Sequence, residues 1–251
     1  MNLIIPEWNA PKNIRAFSTV RYGGYSETPY QGDESGKNGL NLGLHVGDHP
    51  VAVQKNRELL GKTLPSEPVW LNQVHGTTVV DAVVVSGIPD ADASFSVKPN
   101  VVCLVMTADC LPVLLCDKKG GVVAAAHAGW RGLAGGVLEN TLSMMRENTY
   151  SEMMAWLGPA IGPDAFEVGE DVREAFVRKN SLMESAFVAR KDTSGKYLAD
   201  IYTLAKLTLS GLGVADVSGG NFCTVSDSKR FYSYRRDGMT GRMATGIWIA
   251  D

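Results

Sequence analysis

Residues 101–140 read VVCLVMTADCLPVLLCDKKGGVVAAAHAGWRGLAGGVLEN, and the reading of this stretch decides the fold. Val101–Met106 is apolar and β-branched, as a buried strand requires, and Val113–Cys116 is a second short apolar run. Asp117-Lys118-Lys119-Gly120-Gly121 is a polar turn with glycines where positive φ is needed, so Val122–Ala126 reads as the returning strand of a hairpin. Leu133, Val137, Leu138, Thr141, Leu142 and Met145 recur at helical spacing, which predicts one helix running roughly from Arg131 to Glu147. Polar residues break the apolar pattern at two places, Thr107–Cys110 between the first two strands and His127 at the end of the third. A thiol and an imidazole at neighbouring strand ends can converge in space, and Pro112 stiffens the chain just past the thiol. Ordinary packing accounts for the same residues equally well: a buried Cys, a hydrogen-bonded core His, and glycines for close approach.

The segment after His127, Ala128-Gly129-Trp130-Arg131-Gly132, opens the helix. A glycine-bearing loop at a helix start presents free N–H groups and the positive end of the dipole, and Arg131 adds a cation able to grip an anion in bidentate fashion. Together these predict a Cys/His pair beside an anion site.

Composition narrows the class. With 251 residues, 45% hydrophobic and 20% charged, the chain suits a single globular domain over 1–251. A formal net charge of -3 offers no basic excess for nucleic acid or anionic lipid. The opening MNLIIPEWNAP lacks the charge and apolar pattern of a signal peptide, and the apolar region 101–116 is interrupted by Asp109 and Pro112, so no membrane span is expected. Cys103, Cys110, Cys116 and Cys223 show neither a CxxC pair nor a disulfide-framework spacing, which points to the reducing cytoplasm.

Outward from the central stretch, Ile14–Val20 reads as a strand and Arg21–Asn38, rich in Gly, Tyr, Ser and Pro, as a long surface loop. Asp48 is a good N-cap for a helix with Pro50 in its first turn, ending near Leu60 and carrying Arg57, whose plainest reading is a solvated helix face. Val69–Val74 and Thr77–Val85 read as strands, which places His75 at a strand end like His127. The acids of Asp90-Ala91-Asp92-Ala93 read as turn residues. Met153–Leu157 is strand-like, Glu170–Lys179 a short amphipathic helix, and Asp200 starts a helix that Gly211 and Gly213 end. Phe222–Val225, Phe231–Tyr234 and Met243–Ile249 read as closing strands. Short connections between strands, without regular alternation with helices, predict an α+β fold: central mixed or antiparallel sheets flanked by helices in αββα layers.

His75, Cys110 and His127 taken together form a Cys/His₂ set that suits Zn²⁺ and leaves a fourth position open, as a catalytic zinc needs. His75 precedes Cys110 by 35 residues and His127 follows it by 17, neither of which is a zinc-finger spacing. The HxE…PCxxC signature of the zinc deaminases is absent.

The chain resembles the YfiH family, also called laccase-domain or polyphenol-oxidase-like proteins. The stretches that carry the resemblance are NLGLHVGD (41–48), WLNQVHG (70–76), ADA (91–93), MTADCLPVLLCD (106–117), AAAHAGWRGL (124–133), WLGPAIGPDAFEVG (156–169), YLADIY (197–202) and FYSYRRDGMTGRMA (231–244). The resemblance implies one zinc held by His75, Cys110 and His127, and a fold of two central sheets with outer helices. It implies phosphorolysis of adenosine, inosine, guanosine and methylthioadenosine, together with hydrolytic deamination of adenosine. Nucleoside and phosphate are then the partners, and a monomer is expected. Arg131 is the expected phosphate contact, and Arg57 and Asn41, inside matched stretches, are expected substrate contacts. Asp109 serves either as an acid/base or as a structural turn residue.

Other readings stand beside this one. Cys110 as nucleophile with His127 as base would give a cysteine-dependent amidase acting in peptidoglycan precursor editing. A copper oxidase would need more than the four histidines present. A binding module would bind ligand without turnover.

Overall fold

In the computed structural model, which describes residues 2–251, the first two strands of the central stretch lie in different sheets. A four-stranded sheet has the order β1 (Leu3–Ile4), β2 (Ile14–Thr19), β14 (Met243–Ile249), β6 (Cys103–Thr107), all neighbours antiparallel. A six-stranded sheet has the order β13 (Asp216–Gly219), β9 (Met153–Leu157), β7 (Leu111–Asp117), β8 (Val123–Ala128), β5 (Ala93–Ser96), β4 (Val79–Asp81). It is mixed: β13–β9 and β4–β5 are parallel and the rest antiparallel. A small outer sheet joins β10 (Glu167–Gly169), β12 (Lys196–Ala199) and β11 (Phe187–Ala189).

Strand period explains the layers. Leu111, Val113 and Leu115 of β7 and Ala124, Ala126 and Ala128 of β8 face one way, into a core shared with α3 (Val137–Arg146), α4 (Glu170–Val177) and α5 (Ile201–Gly211). The alternate residues Leu114, Cys116, Val123 and Ala125 face the other way and pack on Cys103, Val105, Ile247 and Ile249 of the four-stranded sheet. The far side of that sheet, with Phe17, Leu104 and Met106, is covered by α1 (Pro50–Gly61) through Leu60. The order is therefore helices, sheet, sheet, helix, an α+β fold of the expected αββα kind. Both faces of β7 and β8 are buried, which is why those strands read as continuous apolar runs.

The Asp117–Gly121 hairpin forms as read: the Gly120 N–H donates to the Asp117 carbonyl (3.0 Å) and Gly120 has φ +71°. Met153–Leu157 is a strand with the expected bounds, and Asp200 caps α5 by accepting from the N–H groups of Tyr202 and Thr203.

Several expectations change. The single helix over 131–147 is two, α2 (Trp130–Gly135) and α3, broken where Gly136 takes φ +109°. Arg21–Asn38 is not all loop, since it holds β3 (Tyr22–Ser26). His49, not Asp48, caps α1, because the Asp48 carboxylate accepts from Ser26 Oγ (2.6 Å) and Asn41 Nδ2 (2.9 Å). Val69–Val74 makes only isolated bridges, at Val69 and Asn72. Phe222–Val225 and Phe231–Tyr234 are not strands. Phe231 and Tyr232 are apolar because they are fully buried, and α6 (Tyr234–Asp237) follows them.

Candidate metal centre and cavity

Sheet register brings the donors together. Ala93 opposite Ala126 sets Asp92, just before β5, beside His127 on β8. On the other side of β8, Leu111 lies opposite Ala128, so Cys110 arrives next to Gly129. Cys110 occupies the point where the chain crosses from one sheet to the other. His75 comes from the loop beyond Asn72 and holds φ +60°, so it sits in a left-handed turn and not at a strand end.

That turn is held by Asp92, whose carboxylate accepts from the backbone N–H groups of His75 (3.0 Å), Gly76 (2.6 Å) and Val74 (3.3 Å). The same carboxylate lies 2.8 Å from His127 Nδ1. Asp92 is fully buried. Burial alone would raise its pKa, but the hydrogen bond from His127 and those from Gly76 and His75 hold it below the usual carboxylate range. An ionised carboxylate only accepts, so His127 Nδ1 carries a proton toward it and Nε2 is left for the cavity.

The ligand atoms of His75, Cys110 and His127 lie within 4.8 Å of one another. Cys110 Sγ is 3.8 Å from His75 Nε2, and the two imidazoles meet edge to face with centroids 4.8 Å apart. Tetrahedral zinc bonds of ordinary length place N and S ligands roughly 3.3–3.7 Å apart, so the donor set fits such an ion with small closure. Gly129 completes the fit. A Cβ there would stand 3.0 Å from Cys110 Sγ, 3.2 Å from His75 Cδ2 and 3.5 Å from His127 Nε2. Burial pushes the Cys110 thiol up, but the charge of His127 and hydrogen bonds from both imidazoles bring it below its ordinary value. Burial opposes the His127 proton, and Cys110 and Asp92 outweigh it and raise the imidazole. Without metal the pair therefore favours thiolate and imidazolium; a metal ion would take the thiolate as it stands and displace the proton from His127 Nε2.

The three donors form the floor of a cavity of about 390 Å³ whose wall includes His45, Asn72, Gln73, Tyr234 and Arg242. Gln73 reaches back to β6, donating to the Met106 carbonyl (2.8 Å) and accepting from the Met106 N–H (2.7 Å).

The remaining expected site residues are placed elsewhere. Asn41 is fully buried, and its amide bonds to Gly43, Asp48 and the Arg242 N–H, so it shapes the 41–48 loop. Arg57 stacks 3.7 Å over the Trp70 ring and donates to the Leu42 carbonyl (2.9 Å); burial brings its pKa down to about 10, against the charge of Glu67. Arg131 is exposed, lies over the Trp130 ring at 4.4 Å, and is not part of the cavity wall. The helix on which it lies, α2, is short, with six residues. Asp109 has φ +90°, and its two oxygens accept from Thr224 Oγ1 (2.5 Å) and the Arg235 N–H (2.7 Å), so it pins the turn before Cys110. Asp92, His45, Gln73 and Arg242 were the residues missed. Each stands in or beside a motif quoted above, but only the tertiary register gives it a role.

A family model described as multi-copper polyphenol oxidoreductase laccase matches residues 15–250.

The chain belongs to this laccase-like family.

A purine nucleoside phosphorylase of Pseudomonas aeruginosa is 52% identical over 99% of this chain and 98% of its own length. The purine nucleoside phosphorylase YfiH of Escherichia coli is 51% identical over 98% of each chain. The crystal structure of a Neisseria meningitidis protein superposes with a TM-score of 0.91 at 50% identity, covering both chains fully. These curated relatives are named for nucleoside phosphorolysis, not for amide hydrolysis or copper oxidation. Among the described residues the laccase-like fold here holds one group of three or more metal-type donors, His75, Cys110 and His127. No helix among them is long and apolar enough to cross a membrane.

Proposed function

We propose that this chain is a zinc-dependent purine nucleoside phosphorylase, with residues 1–251 forming one catalytic domain. The observation that carries the reading is the convergence of His75, Cys110 and His127 on the floor of a cavity, in a chain whose close relatives bear that activity in their names. The cavity volume lies within the range of small-molecule sites. The substrates are adenosine, inosine, guanosine and methylthioadenosine, and adenosine is also deaminated hydrolytically. Free thiols throughout support a reducing, cytoplasmic setting, with the protein acting as a monomer.

In phosphorolysis a phosphate oxygen forms a bond to C1′ as the C1′–N9 bond breaks. The electron pair leaves on the purine, and the proton carried by hydrogen phosphate ends on the base. The products are free purine and ribose 1-phosphate, or 5-methylthioribose 1-phosphate when methylthioadenosine is the substrate. Zinc bound by His75, Cys110 and His127 would supply Lewis acidity at the cavity floor. The chain's own contribution is orientation: Asp92 fixes the His127 ring and the His75 turn, and Gln73 ties the same loop to β6.

Purified protein is tested for metal by elemental analysis and for products by chromatography with and without phosphate. One zinc per chain and phosphate-dependent release of purine are expected, and Cys110→Ala should lose both metal and turnover. A metal-free preparation with full activity would overturn the zinc reading. A covalent adduct trapped on Cys110 during turnover of an amide would replace it with the nucleophile.

A further inference from the structure

The wall of the cavity is electrically one-sided. Arg242 reaches it from the start of β14, and none of the ion pairs among the described residues involves Arg242. Its Nη1 donates to the carbonyls of Thr240 (3.0 Å) and Gly241 (3.1 Å), while Nε and Nη2 have no protein acceptor among the described residues. Its backbone is clamped, since its N–H donates to Asn41 Oδ1 (2.9 Å) and its carbonyl accepts from the Leu42 N–H (3.1 Å). His45 stands beside it on the same wall. A Cβ on Gly43 would meet Arg242 Cγ at 2.9 Å and His45 Cε1 at 3.4 Å, so the missing side chain at 43 lets the two approach. Burial lowers the pKa of His45, and the charges of Arg242 and Arg57 lower it further.

The carboxylates near this wall are hydrogen-bonded to other groups and pair with neither Arg242 nor His45. Asp48 is engaged by Ser26, Asn41 and the His49 N–H, and Asp109 by Thr224 and the Arg235 N–H. A half-buried guanidinium with open donors and no ion pair, beside a neutral imidazole able to donate one N–H, is an arrangement that holds an anion. Of the negative groups whose charge acts on Arg242, Cys110 is the largest and Asp109 follows, and a divalent cation held by the donors would neutralise Cys110.

We infer that Arg242, assisted by His45, is the anion subsite of this cavity and takes inorganic phosphate. The inference rests on the phosphorylase reading for the role of that phosphate as nucleophile. It moves the phosphate from Arg131, on the outside of α2, to the wall that already faces the metal donors.

The test uses the metal-loaded full chain. Binding of inorganic phosphate is measured by calorimetry without nucleoside, and phosphate KM is measured separately during phosphorolysis. Arg242→Gln should weaken phosphate binding and raise phosphate KM by roughly tenfold or more, the scale of one charge-assisted hydrogen bond. Arg242→Lys should fall between that variant and wild type, and His45→Gln should give a smaller loss in the same direction. Nucleoside affinity measured without phosphate should change less than about twofold, since each removed contact goes to the anion. Arg242 makes no ion pair, so its replacement leaves no buried charge behind, and circular dichroism verifies the fold. Unchanged phosphate binding in Arg242→Gln, or a larger loss in Arg131→Gln, would overturn the inference. A wild-type protein that binds phosphate through Arg242 but turns over no nucleoside would instead overturn the phosphorylase reading and leave the subsite standing.

Discussion

Asp92 is one residue of 251, yet two of the three donors are oriented through it. Its carboxylate accepts hydrogen bonds from His127 Nδ1–H and from the N–H groups of the turn that carries His75. Asp92→Asn keeps the volume but puts an NH₂ where one of those donors now points. Partners of this kind are worth about ten- to a hundredfold in metal affinity, so a comparable loss is expected in chelator-competition titration. The cysteines give a second check. The Cys103 thiol is raised to about 12 by burial, and Cys116 is raised further by burial and by Asp117. Cys110 is lowered by its imidazoles. At Cys223 burial acts upward, and hydrogen bonds from Ser226, Gly162 and Val225 outweigh it. Iodoacetamide at pH 7 should therefore label Cys110 and Cys223 in metal-stripped protein and spare Cys103 and Cys116. Zinc should protect Cys110 alone, as read by peptide mass spectrometry; labelling of Cys110 unaffected by zinc would remove it from the ligand set. Cys110 and His127 were legible because a Cys and a His at the ends of apolar strands are conspicuous, and His75 because it is one of only four histidines, though it lies in a turn. Asp92 was not, because an Asp before a strand is chemically identical to a turn acid until the partner strand is known. Arg242 hid for a related reason, standing 132 residues beyond Cys110 at the start of the last strand.

At the scale of elements, the break between α2 and α3 shows what periodicity can and cannot carry. Leu133 precedes the break and Val137, Leu138, Leu142 and Met145 follow it, and all face one core, so their spacing fits a continuous helix. Only the backbone at Gly136 interrupts it. Two glycines close together in sequence then make opposite predictions. At Gly136 φ is +109° and an added Cβ would meet nothing closer than 3.7 Å, so Gly136→Ala carries backbone strain alone. It should cost about 1–2 kcal/mol in denaturant unfolding and leave zinc affinity unchanged. At Gly129 φ is −58°, which any residue adopts, and the added Cβ would crowd Cys110 and His75 while touching His127 at ordinary contact distance. Gly129→Ala should leave unfolding free energy nearly intact while zinc affinity falls by about tenfold or more. If both variants lose stability and neither loses zinc, the donors do not converge around Gly129. Strands β2, β7, β8, β9 and β14, each paired on both sides, were read to within two residues, whereas β5 and β12, also paired on both sides, were not read as strands. The 69–76 segment was misread because Asp92, not a neighbouring strand, satisfies the N–H groups around His75.

At the scale of the whole molecule, the candidate centre is a junction. Cys110 lies where the chain leaves the four-stranded sheet for the six-stranded one, His127 ends a central strand of the latter, and His75 comes from a loop pinned to both by Gln73 and Asp92. Arg242 immediately precedes β14, the final strand, which is inserted between β2 and β6. The layered order was legible because apolar runs and short connections dictate stacked sheets. The junction was not, because nothing local marks β6 and β7 as members of different sheets. An ion bound at such a junction binds only the folded chain, in which elements far apart in sequence have met. Zinc should then stabilise by mass action, about 4 kcal/mol when free ion stands a thousandfold above Kd. For a chain of this size each kcal/mol moves Tm by roughly 2–4 °C, so adding zinc to stripped protein should raise Tm by roughly 8–16 °C. Cys110→Ala should abolish most of that shift, since two imidazoles alone hold the ion far more weakly. Arg242→Gln should keep it, because Arg242 faces the cavity without holding the donors in place. An equal shift in wild type and Cys110→Ala would mean that zinc binds elsewhere on the surface, and the junction would lose its assignment as the metal centre.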